Sequence, residues 1–223
     1  LYEVKNGASV QLAIVGNEGF TGISSLLGGG NSHGIVVQAA GYGYRIKEKI
    51  LKIEFELQGT LQRLALHFVQ ALMTQMAQNA VCNRHHNVEK QLCRFLLMSL
   101  DRSAGDELQM THEQIAIMLG VRRESVTQAA LKLQTAGAIR YSRGHITVFR
   151  REELEKSVCE CYSVVNSEYE RLLWIRHANL PAVHVAERKA SREKERWSVN
   201  CGEPRTARQE TKFRPPLTLV QAE

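Results

Sequence analysis

Three side chains stand at a spacing suited to reading nucleobase edges: Arg123, Glu124 and Gln128. A guanidinium offers two parallel donors that match O6 and N7 of guanine. A carboxylate accepts from the cytosine amino group, and a primary amide pairs bidentately with adenine. Around them lie Arg122, Ser125, Thr127, Lys132, Arg143 and His145. These are cations and hydroxyls of the kind that hold phosphates and so position a protein on a duplex without reading its sequence. Glu124, Gln128 and Lys132 recur every four residues, so a helix would carry them on one face, with Arg123 and Ser125 beside its first turn.

The flanking residues define the elements that must hold this set. Thr111 followed by Gln114 is a capping box: the hydroxyl caps orphan N–H groups and the amide reaches back. Ile115, Ala116 and Leu119 then form the apolar face of a short helix, which Gly120 ends as a residue tolerant of positive φ. A second helix begins near Arg123. Its Val126, Ala129, Ala130 and Leu133 fall at i, i+3, i+4 and i+7 and face inward. Gly137 closes it. Residues 138–141 and 145–149 read as two strands around Ser142-Arg143-Gly144. The run 110–148 is therefore expected to be a winged helix-turn-helix, the second helix of which enters the major groove.

At these residues the chain resembles the C-terminal domain of the Crp/Fnr superfamily of bacterial regulators, relatives of the cyclic-AMP receptor protein. The resemblance rests on Leu119-Gly120-Val121-Arg122-Arg123-Glu124-Ser125-Val126, on Gly137-Ala138-Ile139 and on Gly144-His145-Ile146. It implies an Arg-Glu pair opening the recognition helix and a third polar base reader four residues after the Glu; these are Arg123, Glu124 and Gln128. Relatives often carry Arg at the third position, so Gln128 departs from the pattern. The implied fold is α+β. It consists of a partial cyclic-nucleotide-binding-like β jelly roll over residues 1–56, a long dimerisation helix and hinge over 57–86, and a C-terminal winged helix-turn-helix DNA-binding domain over 87–173. Beyond the reach of the resemblance, the composition of residues 174–223 reads as a basic, mostly disordered tail. The implied role is that of a cytoplasmic transcription regulator and not an enzyme. Its implied partners are double-stranded DNA, a second copy of the chain in a homodimer, and RNA polymerase, with no membrane.

The N-terminal part carries the main departure. Residues 9–15, 35–39 and, more weakly, 42–46 read as strands punctuated by glycines. That is about half of the eight strands a jelly roll needs, so the sequence is expected to begin partway through a longer protein. Cyclic-AMP binders of the family hold the ribose hydroxyl with a Glu and the cyclic phosphate with an Arg. Phe20 stands at the first of these positions and His33 at the second. A phenyl ring accepts nothing from a hydroxyl, and neutral imidazole is a poor substitute for a guanidinium fork. No cyclic AMP, and no other cofactor, is expected. Gly28-Gly29-Gly30 lacks the Lys-Ser/Thr of a phosphate loop and reads as a hairpin turn.

Residues 57–82 read as one long helix. Leu61, Leu64, Phe68, Leu72 and Met76 form a stripe at spacings of three and four, which is expected to be the dimerisation face, and Leu66, Val69, Met73 and Ala80 add apolar surface on other sides. Residues 83–87 are polar and read as a hinge before another amphipathic helix at 88–100. Residues 151–173 read as a single helix packed back on the reader. Within the tail, 188–196 reads as a short charged helix.

Five cysteines are scattered along the chain, without the pairing of a secreted disulfide framework or of a structural zinc site. Reduced, buried thiols are the expectation. Cys82, His85, His86 and Cys93, and separately Cys159 and Cys161, nevertheless supply metal-capable ligands. A metal- or redox-responsive regulator is therefore one rival reading. A ligand- or protein-binding sensor module without specific DNA readout is another, separable by mobility shifts on genomic fragments. A net charge of +6 and an isoelectric point near 9.2 suit a polyanionic partner. No run of eighteen apolar residues exists to span a membrane, and the first residues show no signal-peptide pattern. No catalytic constellation stands out.

Overall fold

The computed structural model describes residues 2–3, 9–29, 34–103, 105–173 and, for the backbone, 194–197. In chain order these form β1 (Tyr2–Glu3), β2 (Ser9–Val10), a 3-10 turn (Ile23–Ser25), β3 (Gly41–Tyr44), α1 (Glu48–Glu56), α2 (Thr60–His85), α3 (Val88–Leu100), β4 (Glu107–Gln109), α4 (His112–Leu119), α5 (Arg123–Thr135), β5 (Ile139–Ser142), β6 (His145–Val148), α6 (Arg151–Ser157), α7 (Glu160–Leu173) and β7 (Lys194–Trp197). The class is mixed helix and strand. No described helix is long and apolar enough to cross a membrane.

The centre is α3. Every residue from Gln91 to Leu100 is buried. Asn87 caps the helix, its side chain accepting from the Lys90 amide at 3.0 Å. Helices α5, α6 and α7 and strand β4 surround α3. Helix α2, about 39 Å long at 1.5 Å per residue, lies along α7, where His67 Nδ1 meets the Leu172 carbonyl at 3.0 Å. The Tyr169 hydroxyl donates to Gln75 Oε1 at 3.3 Å.

Several expectations are revised. Only Ser9–Val10 of the expected 9–15 strand is paired, with β1, and residues 35–39 form no strand. Strand β3 pairs antiparallel with β7, Gly41 opposite Trp197. The chain at 194–197 is thus a strand where a charged helix was expected; the rest of the tail, Cys201 included, lies outside the described residues. Residues 48–56, expected in the β-domain, are helical. Helix α2 runs through the expected polar break to His85, which shrinks the joint to His86 and Asn87. The expected 151–173 helix is two, broken at Val158 and Cys159.

The stripe expected to be the dimerisation face largely faces the protein's own interior. Phe68 is 2% exposed, and its ring lies 5.2 Å from that of Phe20. Leu61, Leu72 and Met76 are half-buried, and only Leu64 is exposed. The reason is rotational: Phe68, Ala71, Gln75, Asn79 and Cys82, all buried, recur every three to four residues, and this sets which face turns inward. Among the side chains left outward on the opposite face are Leu66, Met73, Ala77 and Ala80, with the polar Gln70 and Arg84 beside them and Val69 half-buried.

Residues 9–29 are fastened to this helical body. The Gln11 amide donates to the Met118 carbonyl at 3.0 Å. Glu18 and Arg102 form an ion pair at 2.6 Å with side chains 5% and 8% exposed, and the guanidinium lies 5.2 Å from the Tyr169 ring centre. Burial alone would pull the Arg102 pKa down; Glu18 and Tyr169 outweigh it and raise it. Removing one partner of a buried pair leaves an uncompensated charge. Glu18→Ala should therefore lower stability by about 3–5 kcal/mol, read from the midpoint of urea unfolding. A loss below about 1 kcal/mol, the value of an exposed pair, would mean that this pair is not sealed from water.

Candidate nucleic-acid interface

The interface is built on α4, α5 and the hairpin that follows. The capping box is present: Gln114 N donates to Thr111 Oγ1 at 3.2 Å, and the Thr111 amide donates to Gln114 Oε1 at 2.8 Å. Gly120 follows in the left-handed region at φ 66°, where a side chain would be strained. The chain turns there into α5. Val126, Ala129, Ala130 and Leu133 are buried as the spacing predicts. The hairpin pairs β5 with β6, Ser142 opposite His145. Arg143 and Gly144 both have positive φ, 48° and 83°, the signature of the tight turn that suits twisted strands. A third strand, β4, pairs on the other side of β6; nothing in its three residues marks it in the sequence.

This scaffold leaves the expected base-reading set outside. Arg122, Arg123, Glu124, Thr127 and Gln128 are exposed, and Ser125 is half-buried. Arg123 approaches Glu113 at 4.0 Å with both side chains mostly in solvent, a contact too weak to hold it. Arg122 occupies the N-cap of α5 and provides no side-chain cap; the Ser125 N–H already donates to the Arg122 carbonyl at 3.1 Å, which leaves those of Arg123 and Glu124 for an anion.

The expected phosphate contacts divide. Arg143 is exposed at the hairpin tip. Lys132 is exposed but paired with Glu89 at 3.1 Å, which ties the recognition helix to α3. His145 pairs with Glu107 at 2.7 Å, so β4 places a carboxylate beside it. Both must give up a protein partner to meet a phosphate.

His112 is a residue that the sequence reading missed. Its ring stacks on Tyr141 at 3.8 Å between centroids, and its Nδ1 lies 3.0 Å from Thr127 Oγ1. The Thr127 hydroxyl already donates to the Arg123 carbonyl, so His112 Nδ1 carries the proton and donates. Its Nε2 is buried and has no partner among the described residues. One side chain thereby joins the start of α4, the exposed face of α5 and strand β5. Burial lowers its pKa, and the Arg123 charge lowers it further.

Of the metal-capable residues, Cys93 lies in the main core and His85 points to solvent. Cys82, His86, Cys159 and Cys161 converge instead. Phe20 packs in the core, and a Cβ on Gly19 would meet the Phe68 ring at 2.1 Å. His33 lies outside the described residues.

Residues 90–157 match the family described as the Crp-like helix-turn-helix domain. No curated protein matches. Among solved structures, the chain is similar to FixK2 from Bradyrhizobium japonicum, at 18% identity over 51% of this chain and 60% of that one, with a TM-score of 0.46. A transcriptional regulator of the Crp/Fnr family from Eubacterium rectale is 26% identical over 49% of this chain and 50% of that one, with a TM-score of 0.37. A CRP-family transcriptional regulator from Thermus thermophilus is 20% identical over 44% and 53%, with a TM-score of 0.39. The chain thus spans half to three fifths of the length of these proteins.

The lowered His112 pKa has a definite sign. The neutral ring is favoured in the folded state, so its contribution is present above the ordinary value of 6.5 and is lost as pH falls below it. Between about pH 7.5 and pH 5.5, spanning that ordinary histidine value, the thermal midpoint should fall further for the wild-type chain than for His112→Phe, which keeps the stack on Tyr141. Equal falls would show that the ring's protonation is not opposed by the fold.

Proposed function

With a Crp-like helix-turn-helix domain at residues 90–157 as the premise, we propose that the chain is a sequence-specific DNA-binding transcription regulator that acts as a homodimer. The observation that carries this reading is the outward face of α5. Arg123, Glu124 and Gln128 are held in solvent by a helix whose opposite face is sealed into the core. An ordinary surface helix needs neither a rigid capped partner nor a hairpin beside it. Docked in a major groove, Arg123 reads guanine, Glu124 cytosine and Gln128 adenine. The uncapped start of α5, with Arg122 and Arg143, meets phosphates. This backbone part makes affinity fall steeply with salt.

The dimer is proposed through the outward face of α2. Leu66, Val69, Met73, Ala77 and Ala80 are separated by three or four residues, the repeat by which two helices pack along a seam. Met73 is 59% exposed. A two-fold pairing there would present two α5 helices to successive major grooves of a near-palindrome. The segment around Phe20 is read as no cyclic-AMP pocket, and the burial of Phe20 against Phe68 supports that.

Two outcomes follow. Arg123→Ala should weaken binding to a selected site by about 1–3 kcal/mol and relax preference at one base pair, with little change on random DNA. Equal losses on both would reduce Arg123 to a phosphate contact. Met73→Lys should halve the mass seen by sedimentation while leaving the fold intact. Phe68→Ala should instead cost about 3–5 kcal/mol of stability through a core cavity. A dimer that survives Met73→Lys would place the seam elsewhere.

A further inference from the structure

Four side chains from two distant parts of the chain meet at the end of α2. Cys82 lies in the last turn of α2 and His86 caps its C-terminus, and Cys159 and Cys161 flank the start of α7. Their ligand atoms all lie within 4.8 Å of one another. Cys82 Sγ is 3.6 Å from Cys159 Sγ, and Cys161 Sγ is 3.6 Å from His86 Nδ1. The three cysteines are buried and form a cluster separate from the main core.

We propose that Cys82, His86, Cys159 and Cys161 bind a single tetrahedral divalent ion of the zinc type, which staples the end of the long helix to the C-terminal helix. A zinc–thiolate bond of about 2.3 Å in a tetrahedron puts neighbouring donor atoms about 3.8 Å apart, close to the separations present. All four positions are protein ligands, which marks a closed structural site and not a catalytic one. The donor set of soft thiolates and one imidazole excludes magnesium and calcium, which take oxygen ligands.

The surroundings fit the same ion. His86 faces the cysteines through Nδ1, and its Nε2 lies 3.3 Å from Glu160 Oε1. A metal-bound histidine is oriented in this way, donating its other N–H to a carboxylate. Cys159 immediately precedes α7 and Cys161 lies in its first turn, so both thiols come from one short stretch of chain. Three thiolates around a divalent ion leave one net negative charge. Arg94 supplies the matching positive one: it is buried, and its charge acts on Cys82 in the direction that favours the thiolate. Among the described residues no carboxylate pairs with it. Gln91 Nε2 donates to the His86 carbonyl at 2.8 Å and holds the joint from the α3 side.

The site also has a consequence for DNA binding, which rests on the function proposed above. The ion would fix His86 and Asn87, the joint between α2 and the reader, so that two recognition helices keep one separation. Metal binding itself does not depend on that function, and the two are tested apart.

The full chain is purified under reducing, oxygen-free conditions, and its metal content is measured. Zinc at one equivalent per chain is expected. Replacement by Co²⁺ should give the visible bands of a tetrahedral ion and thiolate charge transfer. The spectrum of the unmutated chain decides the matter even where a variant fails to fold. Cys159→Ser with Cys161→Ser should lose the ion, and Cys93→Ser, in the main core, should keep it. A chain that takes up neither Zn²⁺ nor Co²⁺ overturns the proposal. So does retention of the ion in the double variant, or iron with acid-labile sulfide. If the metal binds but its removal leaves DNA affinity unchanged, the coupling to the reader falls while the site stands.

Discussion

The rest of the architecture is arranged around one buried charge, the guanidinium of Arg94. It sits on α3, the helix enclosed on all sides, where an unpartnered cation costs several kcal/mol. Its neighbours answer that cost in turn. Arg94 Nη1 donates to Asn79 Oδ1 on α2, and Asn79 Nδ2 donates to the Leu12 carbonyl of the N-terminal segment. This chain of bonds explains why the inward face of α2 is not uniformly apolar and why Gln75 and Asn79 are buried on it. It also sets the rotation of α2. Once Asn79 must meet Arg94, Phe68 and Ala71 face the core and Met73 faces out. Three segments far apart in sequence are thus indexed to each other by one cation.

What is legible in the sequence is local. Thr111 and Gln114 announce a helix start because both halves of the cap lie within four residues. Gly120, Gly137 and Gly144 mark chain reversals because each sits at positive φ. Hence the recognition helix and hairpin can be read to within a residue or so. What is not legible depends on distant partners. The three residues of β4 acquire meaning only against β6. Periodicity does not single out the inward stripe of α2 because the helix is apolar on more than one side, and spacing alone does not say which side meets α7. Cys82 and Cys159 are 77 positions apart, so no spacing rule joins them. Their proximity requires the break at Val158 and Cys159, where an unbroken helix is the simpler reading of the sequence.

The positions of His112 and Lys132 show how the reader's outer face is stiffened. The hydroxyl of Thr127 is engaged from both sides, by His112 and by the Arg123 carbonyl. Lys132 at the other end of α5 is held by Glu89 of α3. The first contact is stacked and partly shielded, and the second is solvated and therefore worth little alone. Their combined effect is orientational. They fix the rotation of α5 about its own axis, and with it the direction in which Arg123 and Gln128 face solvent.

Contacts between α2, α7 and the end of α3 limit how a movement could reach this face. Helix α2 is strapped along α7 by His67 and Tyr169, and α7 returns to the reader through Tyr162 and Arg151, which share Asp101 at the end of α3. The C-terminal half of α2 and the reader are therefore held by contacts on both sides of the His86–Asn87 joint. Bending only at that joint would have to break the Asp101 node or slide α7 along α2. In the dimer proposed above, moving α2 and the reader together against a second copy of α2 would break neither. A two-state element needs an interface that can repack at modest cost. The outward ridge around Met73, free of buried polar partners, meets that requirement better than the polar joint does.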